Sequence, residues 1–221
     1  MKNASTDALE IHPANVPVTG SRAVLKRAAK GCTACPLYRN ATQVVFGEGP
    51  RHPLLVLVGE QPGDQEDLSG HPFVGPAGRI LDQALEEVGI DRSAAYVTNA
   101  VKHFKWEARG KRRLHKKPGA REVAACRPWL EAELRILQPR IIVCLGATAV
   151  LSILGAGGRV LRDRGKVISS PYGAPALVTV HPSSLLRVPD AEARHRAYTD
   201  FVGDLRLAAD LVGKDPSHHQ A

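Results

Sequence analysis

A chain of 221 residues, 43% of them apolar, buries one ordinary core and is short for two. Its formal net charge of +8 favours a polyanionic partner. The opening residues hold no apolar run of signal-peptide length and carry acids early, so a cytosolic protein is expected rather than a secreted one.

Residues 1–20, with Pro13 and Pro17 and little periodicity, read as a flexible tail ahead of a single domain over 21–213, with 214–221 as a second tail. Ser21 is an N-cap for a short helix marked by Val24, Leu25 and Ala28, which runs into Gly31-Cys32. An apolar strand over 54–58 ends at Gly59. Pro76 then opens a helix whose Ile80, Leu81, Ala84, Leu85 and Val88 share one face until Gly89. A second strand over 95–98 leads into a basic loop. Between Lys102 and Lys117 eight Lys or Arg stand against one acid, Glu107, so nearly the whole charge excess sits in this segment.

A helix over 120–137 points Val123, Leu130 and Leu134 inward, and a third strand over 141–145 follows. The uncharged run 141–158 approaches the roughly 20 residues that span a bilayer. Gly146, Thr148, Ser152, Gly155, Gly157 and Gly158 interrupt it, and it reads better as a buried strand turning into a helix over 148–154. A fourth strand over 176–180 and an amphipathic helix over 191–212 close the chain. This alternation predicts a single-domain αβα sandwich around a central, mostly parallel four-stranded sheet. Sites belong where loops leave the carboxyl ends of strands, and Gly59-Glu60-Gln61-Pro62-Gly63-Asp64, Asn99 and His181-Pro182-Ser183 each follow a strand.

Cys32 and Cys35 form a CxxC pair, and Cys126 and Cys144 follow, separated by seventeen residues. Disulfides are disfavoured in a cytosolic chain, and CxxC is the ligand spacing of tetrahedral sulfur sites. Zinc and an iron–sulfur cluster both accept four thiolates, and spacing leaves that choice open. As a strand residue, Cys144 is also an ordinary small apolar side chain.

The CxxC, the Gly-Glu-x-Pro-Gly segment after the first strand, the two further cysteines and the terminal His-Pro-Ser together resemble family 4 of the uracil-DNA glycosylases, over about residues 26–207. The resemblance implies a [4Fe–4S] cluster on Cys32, Cys35, Cys126 and Cys144, structural in role, bracing the wall of a DNA groove. It implies uracil-containing DNA, single-stranded as well as duplex, as partner of a monomer with no membrane association.

Excision of a base requires that it be flipped into a pocket and read there. Phe73, in a loop rich in Gly and Pro, would stack on the base, although by residue type alone it is equally a core plug. Asn99 offers a donor and an acceptor that match O4 and N3–H of uracil, yet Asn is also a common turn residue. The resemblance favours base recognition for both. It also places His181 beside O2 of uracil, stabilising the anion that develops there, with Ser183 next to it and Arg187 binding a phosphate or bracing the pocket. Gly59 and Gly63 let backbone approach the flipped nucleotide, with Asp64 ending that loop.

Two features depart from the ordinary family 4 pattern. Gln61 stands where a small residue is usual, and an insertion carries Gly110-Lys111-Arg112-Arg113-Leu114-His115-Lys116-Lys117. Together they resemble UdgX, a branch of the superfamily whose distinguishing loop reads KRRIH. That resemblance implies that His115 attacks the deoxyribose after uracil leaves and remains bonded to it. An electron-poor C1′ is normally captured by water, and a neutral imidazole held at high effective concentration competes. Neighbouring Lys and Arg disfavour the imidazolium form. Glu60 would accept the His115 proton or orient the ring, Gln61 would hold the loop over the pocket, and Lys111, Arg112 and Arg113 would contact DNA phosphates. Composition alone favours a simple solvated, phosphate-binding loop. The alternatives are an ordinary turning-over glycosylase and a non-enzymatic iron–sulfur nucleic-acid-binding module.

Overall fold

In the computed structural model, which describes residues 11–213, the first helix, α1 (Arg22–Ala29), begins at Ser21, whose Oγ accepts from the Val24 amide. Then come β1 (Leu55–Gly59), α2 (Asp64–Ser69), α3 (Pro76–Glu87) and β2 (Ala95–Asn99). A hairpin of β3 (Trp106–Arg109) and β4 (Arg112–His115) precedes α4 (Ala120–Leu137). The chain continues through β5 (Ile141–Leu145), α5 (Ala147–Leu154), α6 (Val160–Asp163), β6 (Val167–Ile168) and β7 (Ala176–Thr179). It closes with α7 (Pro182–Leu185) and α8 (Ala191–Gly213).

The main sheet runs β2-β1-β5-β7-β6, with the first four strands parallel. It has five strands where four were expected. β6 adds an antiparallel edge, pairing Val167 with Leu177 and Ile168 with Ala176, and two residues are too few for periodicity to announce a strand. Both faces are covered, which explains why these strands read as unbroken apolar runs. Leu55, Leu57, Val143 and Leu177 pack against Leu81 and Leu85 of α3 and Phe201 and Leu205 of α8. On the opposite face, Val56, Val58, Ile142 and Val178 pack against Leu130 and Leu134 of α4 and Val150 and Ile153 of α5. A third apolar cluster joins α1 to α4 through Leu25, Ala29, Phe46 and Trp129.

Two expectations change. Residues 11–16 are docked, while Val18 stays exposed: the His12 amide donates to Ala34 O at 3.1 Å, the Ala14 amide to Ala125 O at 2.9 Å, and Ala14 is buried in the α1–α4 cluster. These contacts come from distant segments, so no local pattern signals them. The rest of the two expected tails, 1–10 and 214–221, lies outside the described residues. The basic loop is a hairpin, with Trp106 opposite His115 and Gly110 turning the chain at φ +60°. It is pinned from below. The Trp106 indole donates to Asn40 O at 2.8 Å, and the Arg113 guanidinium lies 5.5 Å from both the Phe104 and the Trp106 rings. Among the described residues, no helix is long and apolar enough to cross a membrane.

Candidate active site

The strand order reverses direction between β1 and β5, and the crevice that this leaves at the carboxyl ends of the strands is where ligands of such sheets bind. A cavity of about 500 Å³ opens there. Its lining includes Gln61, Gly63, Asp64, Phe73, Asn99, His115, His181, Ser183 and Arg187, so nine residues chosen from separate motifs share one wall. A depression of about 660 Å³ at the amino end of the strands is lined by α3 and by Asp91 and Arg92, but its Arg92 and Asp82 are already paired with each other.

Backbone geometry shapes the floor. Phe73 sits at φ +58°, a region that side-chain-bearing residues adopt only when their surroundings hold them there. Part of that hold is Gly78, where a Cβ would stand 1.7 Å from Phe73 O. Gly59 lies directly beneath the pocket: a Cβ there would be 2.3 Å from Asn99 Oδ1 and 2.6 Å from Phe73 Cζ. Glu66 on α2 ties two loops together, accepting from the Gly63 amide at 3.0 Å and the Gly75 amide at 2.8 Å. The Phe73 ring, 7% exposed, stacks on the His181 ring with centroids 6.0 Å apart and 27° between planes.

His181 caps α7. Its Nδ1 accepts from the Ser183 amide at 3.2 Å, so in the neutral ring the proton is on Nε2. Burial, then Arg187 and His115, push its pKa down to about 4, and the ring is neutral at pH 7. A neutral imidazole with a fixed Nε2–H is a donor suited to a developing anion. Asn99 is 3% exposed, and its side-chain amide makes no hydrogen bond among the described residues.

Above the floor stands the hairpin. Gln61 clips it at both ends: its Nε2 donates to Lys105 O at 3.2 Å and to Lys116 O at 3.0 Å, while its Oε1 accepts from the Lys105 amide at 3.1 Å. Such reach requires an amide side chain of this length. His115 Nε2 is 3.5 Å from Glu60 Oε1, and the other Glu60 oxygen accepts from Thr148 Oγ1 at 2.6 Å. Thr148 therefore fixes the carboxylate that faces His115.

The charges of the hairpin divide. Lys111 and Arg112 are exposed at its tip and do not line the cavity. Arg113, expected on a phosphate, turns inward: Nη1 is 2.6 Å from Asp67 Oδ2 and Nε is 2.6 Å from Asp64 Oδ1. Lys116 pairs with Glu107 at 2.7 Å. Two of the cations beside His115, Arg113 and Lys116, are thus neutralised by partners that only the fold supplies.

The four cysteines do not form one set. Cys32, Cys35 and Cys126 share the α1–α4 cluster, where Cys32 Sγ accepts from the Trp129 indole and Cys126 Sγ from the Lys102 amide, each at 3.3 Å. Cys144 belongs to the separate layer between the sheet, α4 and α5. Burial alone pushes its thiol up to about 12, whereas Cys126, also raised to about 12 chiefly by burial, feels Cys35 and Cys32 as well. The full set expected from the sequence therefore does not fit. α4 decides this: its Leu130 and Leu134 face the sheet, where Cys144 lies, while its Cys126 and Trp129 face α1. His103, directly after the amide that binds Cys126, is buried at 6% exposure, and its ring makes no hydrogen bond among the described residues. Among those residues no three Cys, His, Asp or Glu groups are close enough to share a single metal ion.

Sequence reasoning missed Glu66, Thr148 and a buried pair, Lys102 and Glu133. A Gly-x-x-Glu pattern at 63–66 was available as a capping signal for the first. Nothing local marks the other three.

A model of the uracil DNA glycosylase superfamily matches residues 46–206. The type-4 uracil-DNA glycosylase of Thermotoga maritima is 41% identical over 180 residues, which cover 80% of this chain and 90% of that protein. The Pyrobaculum aerophilum type-4 enzyme is 35% identical, covering 72% of this chain and 82% of its own. That of Archaeoglobus fulgidus is 32% identical, with 81% and 90% covered. With the sheet order, the strand-end cavity and these likenesses in agreement, the chain belongs to the uracil-DNA glycosylase superfamily.

Proposed function

We propose that this protein excises uracil from DNA as a DNA repair activity and then stays bonded to the excised site through His115, in the manner that its resemblance to UdgX implies. The names of its type-4 relatives support the excision. The observation that carries the capture is His115 in the cavity wall, 3.5 Å from Glu60, on a hairpin clipped at both ends by Gln61.

A uracil flipped into the cavity stacks on Phe73, presents O4 and N3–H to the Asn99 amide, and turns O2 towards His181 Nε2–H. As the C1′–N1 bond breaks, its electron pair passes to the base and spreads onto O2, where the neutral His181 donates. C1′ is left electron-poor. Attack on it needs the His115 tautomer with its proton on Nδ1 and a free lone pair on Nε2. Glu60, held by Thr148, is placed to take the Nε2 proton from the imidazolium and generate that tautomer, at a separation that tightens once substrate is bound. The new C1′–Nε2 bond leaves an imidazolium that sheds its Nδ1 proton to solvent, and the departing uracil anion is protonated by water. Lys111, Arg112 and Arg187 remain for DNA phosphates, and Arg113 serves to hold the hairpin.

Incubation with uracil-containing oligonucleotides, single-stranded and duplex, followed by denaturing electrophoresis, tests this. A retarded species stable to SDS and heat is expected with uracil and absent with thymine. Abasic sites without that species would make the protein an ordinary glycosylase, and neither product would leave a binding module.

We propose that the three thiols of the α1–α4 cluster, Cys32, Cys35 and Cys126, hold an iron–sulfur cluster, with His103, buried and directly after the amide that bonds Cys126, as the fourth donor. Four such donors drawn from the segment after α1, the segment after β2 and α4 would cross-link those parts, a structural role that supplies no step of excision. Cys144→Ala should therefore keep iron and sulfide in wild-type proportion, while Cys126→Ala loses both, as read by metal and sulfide analysis and visible absorption. Stoichiometric zinc without iron in the wild type would overturn the cluster.

A further inference from the structure

The least expected feature of the interior is a buried ion pair. Lys102 is 1% exposed and Glu133 fully buried. Lys102 Nζ reaches Glu133 Oε2 at 2.5 Å, Thr98 Oγ1 at 2.7 Å and the main-chain oxygen of Asn99 at 2.8 Å. Glu133 is saturated in turn, accepting also from the Gly47 amide at 3.1 Å, the Tyr96 hydroxyl at 2.7 Å and the Thr98 hydroxyl at 3.0 Å.

Charges removed from water in this way contribute little net stability, and apolar pairs of similar volume commonly replace them without loss. A reason other than stability is therefore wanted. It lies in the Asn99 contact. β2 is the edge strand of the sheet, and among the described residues its open side pairs with backbone through an isolated bridge between Glu48 and Val97 rather than through a further strand. Beyond Asn99, the Ala100 amide turns back to Gly59 O at 3.0 Å and the Val101 amide to Glu60 O at 3.0 Å. The Asn99 carbonyl is left facing away from β1 with no neighbouring strand to bond it, and Lys102 Nζ supplies the missing donor. The side-chain amide of the same residue makes no hydrogen bond among the described residues, so the carbonyl is the polar anchor of Asn99.

We propose that Lys102, oriented by Glu133, is a positioning residue that sets the placement of Asn99 for reading the uracil edge. The inference rests on the reading of Asn99 as the base-recognition amide. It also explains why an amine four carbons long is used: one nitrogen must bond a carboxylate on α4, a hydroxyl on β2 and a carbonyl at the strand end simultaneously.

The test compares the Lys102→Met, Glu133→Leu double variant with Glu133→Gln and Asn99→Ala. Each is assayed for thermal unfolding, for affinity to a thymine-containing duplex, and for the single-turnover rate constant of uracil release at saturating protein. That constant does not depend on how much of the sample is folded, so a purely structural role cannot lower it. The double variant should unfold at a lower temperature than wild type, because Gly47, Tyr96 and Thr98 lose the acceptor that Glu133 gave them, yet stay folded under the assay conditions and bind the duplex within about twofold. Its rate constant should fall about 100-fold, the effect of a misplacement near 1 Å at a reacting site. Glu133→Gln should lose stability but keep most of the rate, because Lys102 still reaches Asn99. A folded double variant with the wild-type rate constant overturns the proposal. If the double variant does not fold, Lys102→Gln, neutral and one bond shorter, replaces it under the same criterion. Should Asn99→Ala itself release uracil at the wild-type rate, the fault lies in the pocket reading rather than in Lys102.

Discussion

In the His115→Ser variant the denaturant-stable protein–DNA species should disappear while uracil release continues. In the proposed mechanism the imidazole competes with water at C1′, because an imidazole nitrogen is a better nucleophile than water and β4 would deliver it at high effective concentration. A serine hydroxyl at the same position is a weak nucleophile without a base to activate it, and the smaller side chain leaves space for water. The groups proposed to break the glycosidic bond, Asn99, Phe73 and His181, come from β2, the 70–75 loop and the turn after β7, and the substitution leaves all three in place, removing only the smallest of the three effects that lower the His181 pKa. The variant should therefore leave abasic sites, seen as alkali-cleaved oligonucleotide in amounts comparable to the adduct of the wild type. Persistence of the adduct in His115→Ser would mean that another group attacks. Loss of both adduct and abasic sites would mean that the hairpin is needed for base departure as well.

His181→Ala should depress both outcomes together, by about 100- to 1000-fold in the rate of uracil release, the usual cost of removing one donor from a developing oxyanion. The expectation follows from the tautomer. The Ser183 amide occupies Nδ1 and leaves Nε2–H as the ring's donor, while burial holds the pKa near 4 so that the ring does not gain a second proton at working pH. Without that donor the electron pair of the C1′–N1 bond has less stabilisation where it arrives, and no electron-poor C1′ forms for His115 or water. The two variants thus dissociate the chemistry: one loses capture alone, the other loses the step that capture depends on. A His181→Ala protein that captured DNA at the wild-type rate would remove His181 from the mechanism.

Much of this arrangement is legible in the order of residues, for a physical reason. Runs such as 141–145 are apolar at every position because both faces of a parallel sheet are covered, and the Gly, Pro and Asn that interrupt them mark the strand ends where such sheets bind ligands. Glu60, Asn99 and His181 each end a strand or lie within two residues of its end, so recognising the strands is enough to gather them. The charged hairpin is not legible in this way. Its alternation is masked by Lys and Arg, and what holds it are Asn40, Asp64 and Asp67, brought in by folding.

The chain by itself therefore determined the class of fold, the edge of the sheet that carries the chemistry and the residue types present there, because those follow from local periodicity and strand-end punctuation. Only the tertiary structure decided which groups are partners. It set Cys144 apart from the other three thiols, turned Arg113 from a phosphate contact into a brace, and buried Lys102 against Glu133 behind Asn99. Charge and sulfur pairings are made between residues such as Lys102 and Glu133, 31 positions apart, or Arg113 and Asp67, 46 apart. The side chains that meet over such separations depend on how helices seat on the sheet, which no local pattern encodes.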